Sequence, residues 1–375
     1  MLNETINAMV LVRMTPFNPT GILTLYRTAG SATAVLEHRN DISEVIPEAS
    51  PRLVESMRAD ISPIVRRVEE ECRYCEEKGI QILTPADAGY PQRLLDCDDA
   101  PLVLYYKGSA NLNARRVINI VGTRRSTAYG QDLIRRFLCD MQGLCPNVLV
   151  VSGLAYGVDI HAHRNALEYG FETVGVLAHG LDDLYPSRHK DTANRMVHQG
   201  GLLTEFMTGT NADKINFVRR NRIVAGMSDA CILVESAAKG GGLITADISR
   251  SYGRDVFAFP GRVGDAYSEG CNNLIRDNGA ALMQSADDFV KAMGWEGDAR
   301  MAKAQNDGIQ PDLFPDITDE EEAIVGVLQR NNDLQINMLA TQANLPVNRV
   351  AAILFELEMK GIVRTLAGGV YHLMR

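Results

Sequence analysis

Three glycine-rich turns, each entered from an apolar run and left through a helical pattern, carry the residues best suited to chemistry. They fall in residues 117–130, with Gly122-Thr-Arg-Arg; in 148–157, with Ser152-Gly153-Leu-Ala-Tyr-Gly157; and in 231–246, with Lys239-Gly-Gly-Gly. Such turns expose backbone N–H groups just ahead of a helix N-terminus, so each is a ready anion site. Cations stand at two of them: Arg124 and Arg125 in the first, Lys239 before Gly240, Gly241 and Gly242 in the third. Between the second and third turns lies Lys214-Ile-Asn-Phe217-Val-Arg219-Arg220-Asn221-Arg222, with four cations and one aromatic in nine residues. Cations that track a phosphate backbone, beside an aromatic on which a base can stack, suit single-stranded nucleic acid. The plainer reading makes Phe217 a core residue and the arginines a solvated or acid-paired helix face. The residues alone leave both open.

Other chemistries fit less well. No Gly-x-Gly-x-x-Gly follows the first apolar run, and no turn ends in Gly-Lys-Ser/Thr, so NAD redox chemistry and ATP hydrolysis lack their motifs. His161 and His163 are two apart and point to nearly opposite sides of a helix, so they cannot share a metal. Asp159 and His163, four apart, are expected to pair in a hydrogen bond that fixes the second turn. The lone Cys72-Arg-Tyr-Cys75 lacks a second pair at zinc spacing. Glu205 and Glu235 sit at strand ends and could be general acid–base carboxylates. Pairing with the arginines of the same edge is the favoured reading for both. No catalytic residue, metal or cofactor is expected.

The elements that must hold these turns follow from the pattern. Short apolar runs at 80–83, 102–106, 117–121, 148–151, 173–177, 201–203, 230–234 and 255–259 alternate with helical stretches. That alternation predicts an α/β fold with a Rossmann-like, doubly wound, mostly parallel sheet over residues 80–296. Parallel strands would bring all three turns to the carboxyl edge of the sheet, where open α/β folds bind ligands. Residues 1–79 read as a small helical domain, broken at Gly30-Ser31 and closed by a helix over 63–78. Residues 297–317, polar and rich in Gly and Pro, read as a linker. From Thr318, three helices and a hairpin turning at Gly368-Gly369 predict a winged helix over 318–375.

Composition limits the function classes. No apolar run is long enough to cross a membrane, the N-terminus lacks a signal-peptide pattern, and seven scattered cysteines suit reduced thiols in a cytoplasm. With net charge −9, any nucleic-acid site must be a local concentration of Lys and Arg. The tail from Thr318 carries seven acids against five Lys or Arg, a poor balance for releasing counterions from DNA. A protein-contact or regulatory role is expected there.

Taken in order, the motifs resemble those of the DNA processing protein A (DprA/Smf) family. They are Tyr90-Pro-Gln-Arg-Leu, Pro101-Leu-Val-Leu-Tyr105, Val121-Gly-Thr-Arg-Arg with Tyr129-Gly130, and Val151-Ser-Gly-Leu-Ala-Tyr-Gly-Val-Asp-Ile-His-Ala-His163. Tyr185-Pro186, Thr204-Glu-Phe206, Phe217-Val-Arg-Arg-Asn-Arg-Ile-Val-Ala-Gly226, Gly242-Leu-Ile-Thr-Ala246 and Phe257-Ala-Phe-Pro-Gly261 with Gly270-Cys-Asn-Asn-Leu-Ile275 complete the set. The N-terminal helices resemble the family's sterile-alpha-motif-like or helix-hairpin-helix domain. The resemblance implies a non-enzymatic protein that binds single-stranded DNA without strong sequence preference and loads the recombinase RecA in natural transformation. It also implies a homodimer formed through the Rossmann-like domain. Carried over by motif, the DNA contacts would be Arg124, Ser152, Gly153, Lys214, Phe217, Arg219, Arg220, Asn221, Arg222 and Gly240–Gly242. The third turn is Lys239-Gly-Gly-Gly-Leu where the family often has a Ser-Gly-Ser type sequence, which removes hydroxyl donors but leaves the backbone ones. The alternative is a nucleotide phosphoribohydrolase-type enzyme, but its Pro-Gly-Gly-x-Gly-Thr-x-x-Glu block is absent.

Overall fold

The structure, a computed structural model, describes residues 3–14, 19–47, 49–297, 318–332, 334–360, 362–366 and 369–373. Residues 1–303 form one compact unit and residues 304–375 a second. The expected linker, apart from Gly297, lies outside the described residues, as does Gly368 of the expected turn.

Five helices open the chain: α1 (Glu4–Met14), α2 (Pro19–Ala29), α3 (Ala32–Glu37), α4 (Pro51–Arg58) and α5 (Ser62–Lys78). The break at Gly30-Ser31 is real, because the Ser31 hydroxyl caps α3 by accepting from Ala34 N. These helices share an apolar cluster with Leu102, Val103, Tyr105 and Met207 of the following segment. The buried Glu71 carboxylate strengthens that join. It accepts from Arg67 on its own helix and from Thr208 N at 2.9 Å.

Nine strands then build one sheet. They are β1 (Gln81–Leu83), β2 (Leu104–Gly108), β3 (Arg116–Val121), β4 (Val148–Ser152), β5 (Thr173–Val176), β6 (Gly200–Thr204), β7 (Ala230–Leu233), β8 (Asp255–Ala258) and β9 (Ala281–Leu282). Their order is β1-β2-β6-β5-β4-β3-β7-β8-β9. Every neighbouring pair from β6 to β9 is parallel, whereas β1–β2 and β2–β6 are antiparallel. All eight expected strands form, and the two-residue β9 is an addition. Strict alternation sends Val117, Val121, Leu149 and Val151 into one core and Ile118, Ile120, Val148 and Val150 into the other. Helices α6 (Ala128–Leu144), α7 (Val158–Glu168), α8 (Lys190–His198), α9 (Lys214–Gly226), α10 (Gly241–Ser251), α11 (Glu269–Arg276) and α12 (Ala286–Ala292) complete the unit.

The second unit holds α13 (Asp319–Arg330), α14 (Ile336–Ala343) and α15 (Val347–Met359), with strands β10 (Leu334–Gln335), β11 (Val363–Leu366) and β12 (Val370–Leu373) in the order β10-β12-β11. This is the expected winged helix, with its own core around Ile324, Leu328, Leu339, Ile353 and Leu357. Thr318 and Glu321 form a reciprocal capping box at the head of α13. Glu321 also accepts from Lys360 Nζ at 2.8 and 3.0 Å with its side chain fully buried. Burial alone raises this carboxyl, but the Lys360 and Thr318 bonds outweigh it and hold it below the usual glutamate range.

A carboxyl depressed in the folded state stabilises above its unfolded pKa and loses that contribution as pH falls through its folded pKa. The winged helix should therefore weaken as pH falls through and below the usual glutamate range. Glu321→Gln should lower its stability at neutral pH and flatten that acid dependence. Thermal melting followed across this pH range is the check, and an unchanged acid slope in the variant would refute the assignment.

Candidate nucleic-acid interface

The chain leaves β3 for β4 on one side and returns to β7 on the other, so β3 marks the topological switch point. An open cavity of about 600 Å³ lies there, beyond the carboxyl ends of these strands. Gly122, Arg124, Gly153, Lys214, Phe217, Arg220, Asn221 and Gly240–Gly242 all line it. The turns meet closely. A Cβ on Gly242 would lie 2.9 Å from Gly122 Cα, and Gly157 holds φ +76° against the backbone of Thr123 and Arg124.

The three turns are not equivalent. In the first, Arg124 is exposed while Glu235 fixes the loop, accepting from Thr127 N at 2.8 Å and Thr127 Oγ1 at 2.6 Å. Glu235 thus serves backbone and hydroxyl donors, not the arginine expected from sequence. In the second, Asp159 accepts from Gly153 N at 3.1 Å and from Ala155 N at 3.4 Å. Those two donors are committed, so this turn offers fewer open N–H groups than expected. Asp159 does fix the turn, but without His163. The buried His163 ring instead meets Thr173 Oγ1 at 2.7 Å, and burial pulls it down to about 3, leaving it neutral. In the third turn Gly240 N bonds Ala237 O, and the N–H groups of Gly241 and Gly242 head α10 with no acceptor among the described residues.

Helix α9 supplies the track. Asp213 caps it by accepting from Asn216 N at 2.7 Å. Lys214, Phe217 and Asn221 recur at i, i+3 and i+7 and share the face that lines the cavity. Phe217 is half-buried, with the Arg124 guanidinium 4.8 Å and the Tyr185 ring 5.8 Å from its centroid. Tyr185 is 47% exposed, and its place beside Phe217, 32 positions along the chain, left no signal in spacing.

The other arginines diverge. Arg220 is buried within the cavity wall, donating to Gly153 O at 2.6 Å and to Val176 O. Burial lowers its pKa to about 10, with Asp159 opposing the shift, so it stays charged at neutral pH. Arg219 stands over the Phe206 ring, 5.7 Å from its centroid, outside the cavity lining. Arg222 is a correction: it is buried in an ion pair with Glu205 and donates to Asp99 O, so it cannot reach a strand. Ser152 is another, since its buried hydroxyl donates to Ile120 O at 2.6 Å. Arg125 and Lys239 are exposed outside the cavity lining. Among the described residues no group of three or more His, Cys, Asp or Glu could hold a metal, and no helix is long and apolar enough to cross a membrane. Burial pushes the Cys75 thiol up to about 12, an environment opposed to thiolate chemistry.

A doubly wound α/β domain with an open, cation-lined crevice at its switch point, followed in the chain by a winged helix, defines a Rossmann-like winged-helix protein. Residues 81–294 match the family model for DNA recombination-mediator protein A, and residues 310–369 match that of the DprA winged helix domain. The chain belongs to the DNA recombination-mediator protein A family. It is 33% identical over 318 residues to the putative DNA processing protein DprA of Mycobacterium tuberculosis, covering 81% of this chain and 80% of that protein. The X-ray structure of DprA from Streptococcus pneumoniae superposes with a TM-score of 0.57 at 28% identity, covering 73% of this chain and 97% of that one. The structure describing the single-stranded DNA binding mode of DprA from Helicobacter pylori gives 0.52 at 27%, covering 58% and 97%.

Removing Arg222 strands the Glu205 carboxylate in a buried site. Arg222→Ala should therefore cost about 3–5 kcal/mol of stability, while a double Arg222→Met, Glu205→Leu change should recover most of it. Urea denaturation measures both, and a single variant as stable as the parent would contradict the buried pair.

Proposed function

We propose that this protein binds single-stranded DNA along the crevice, without strong sequence preference, and loads RecA onto it without catalysing a reaction. One observation carries the DNA half: a half-exposed aromatic, Phe217, lines a crevice open to solvent together with Arg124, Lys214 and the helix-heading Gly241 and Gly242. These groups address a phosphate and a base face, which every nucleotide offers. In the free protein Arg124 rests on the Phe217 ring as a cation–π partner. A strand would draw the guanidinium to a phosphate and give the ring to a base. The single-stranded DNA binding described for the H. pylori relative supports the same reading here. Family membership supports RecA loading and pairing of two copies through the Rossmann-like domain. The carboxylates weighed for a phosphoribohydrolase, Glu205 and Glu235, are both committed outside the cavity lining, which counts against that reading.

Fluorescence anisotropy with labelled single-stranded DNA at two salt concentrations tests the proposal. Affinity should fall steeply with salt, and Arg124→Ala should reduce the log–log slope by about 0.7. Phe217→Ala should cost about 1–3 kcal/mol, a loss of roughly 5- to 150-fold. If both variants bind like the parent, the crevice is not the DNA site. RecA strand exchange, stimulated by the parent protein and not by these variants, is the companion measurement.

A further inference from the structure

Helix α15 occupies the place of the recognition helix in the helix-turn-helix, the element that enters the major groove in DNA-reading winged helices. Here its two cations are tied inside the domain. Arg349 Nη2 lies 2.6 Å from Glu320, and Lys360 pairs with the buried Glu321. What α15 turns to solvent mixes polar Asn348, Arg349, Glu356 and Glu358 with a set of apolar residues. Ala351, Ala352, Phe355 and Met359 are all exposed on one side of it, opposite the buried Val350, Ile353, Leu354 and Leu357. Phe355 is 65% and Met359 75% exposed, unusual values for the two largest apolar side chains of a helix.

We propose that this face joins two copies of the chain through an antiparallel, two-fold pairing of α15 with itself. The sequence of the face is self-complementary in size and in charge. A dyad between Ala351 and Phe355 lays each Phe355 over Ala351 and Ala352 of the other copy, and each Met359 against Val347. The small pair lets the helix axes approach closely, and the large residues fill the space beside it. Arg349 and Glu356 are seven positions apart, two turns along one flank. Reversal therefore brings Arg349 of each copy beside Glu356 of the other. The Arg349–Glu320 pair is open to solvent, with the arginine side chain 58% exposed, so its guanidinium has room for a second carboxylate. The two-fold is isologous, which closes the assembly. One helix pair falls below the roughly 1,000 Å² of a stable interface, so association through this face is weak and concentration-dependent.

Sedimentation velocity of the full chain over a concentration series provides the test. The parent should show an association step that Phe355→Asp and Met359→Asp each weaken at least tenfold, with unchanged melting temperatures because both side chains are exposed. Any pairing through the Rossmann-like domain would persist in both variants as a separate step. In a Cys139→Ser background, which removes the exposed native thiol, Ala352→Cys should cross-link two copies on mild oxidation and Thr341→Cys should not. Identical mass profiles for the parent and Phe355→Asp would overturn the proposal, as would a parent of constant mass. Loss of RecA stimulation in Phe355→Asp with an unchanged profile would give the face to another protein and overturn it equally.

Discussion

A single buried guanidinium sets the geometry on which the crevice depends. Arg220 donates to Gly153 O at the end of β4 and to Val176 O at the end of β5, while Asp159 on α7 holds the Gly153 and Ala155 N–H groups. This knot locks α9 against two strand ends and a helix. Taking a charge out of water costs several kcal/mol, and the cost is tolerable only with acceptors and a counter-charge in place. Two carbonyls and Asp159 supply them. A lysine could not span both carbonyls with a rigid fork. Because Arg220 cannot move without stranding its charge, Phe217, three residues upstream, is held at the crevice mouth.

The same knot divides the three turns by task. Committing Gly153 N and Ala155 N to Asp159 takes those two donors of the second turn out of anion binding. The open donors remain at the third turn, close to Arg124 of the first. Close packing of Gly242 on Gly122 keeps these two turns together. Glu235 then fixes the loop that carries Arg124 by holding Thr127. The crevice is a phosphate edge made of two turns resting on a third.

Much of this was legible in the chain, and what was not has a common cause. Short continuous apolar runs located the strands to within two residues because burial on both sheet faces favours an apolar residue at every position of a strand. The glycine turns, Lys214 and Phe217 were visible because their chemistry is local. The fates of Arg219, Arg220 and Arg222 were not. Adjacent residues on a helix differ by about 100°, so the packing of α9 decides which arginine meets a strand, an aromatic ring or Glu205. Ser152 was misread for the same reason: a hydroxyl at a strand end serves whichever carbonyl the neighbouring strand presents. Glu205 was foreseen as an arginine partner, whereas Glu235 found Thr127, on a loop whose path depends on the whole sheet. The antiparallel β1 and β2 carry no mark in their own residues, since direction comes from where the chain crosses.

The two units use charge in opposite ways. In the α/β unit, Arg124 and Lys214 make no ion pair among the described residues, while Arg220 is buried in the cavity wall and Arg222 in its pair with Glu205, so positive charge is either presented or structural. In the winged helix the cations of α15 close the domain on itself, Lys360 through a carboxylate that also caps α13. Releasing Lys360 to a phosphate would strand Glu321, already buried, and undo the cap in the same step. That coupling opposes duplex reading by α15 more strongly than the count of acids does. The outward face of α15 keeps the apolar Ala351, Ala352, Phe355 and Met359 beside the polar Asn348 and Glu356, and that mixed face is what remains available for contact.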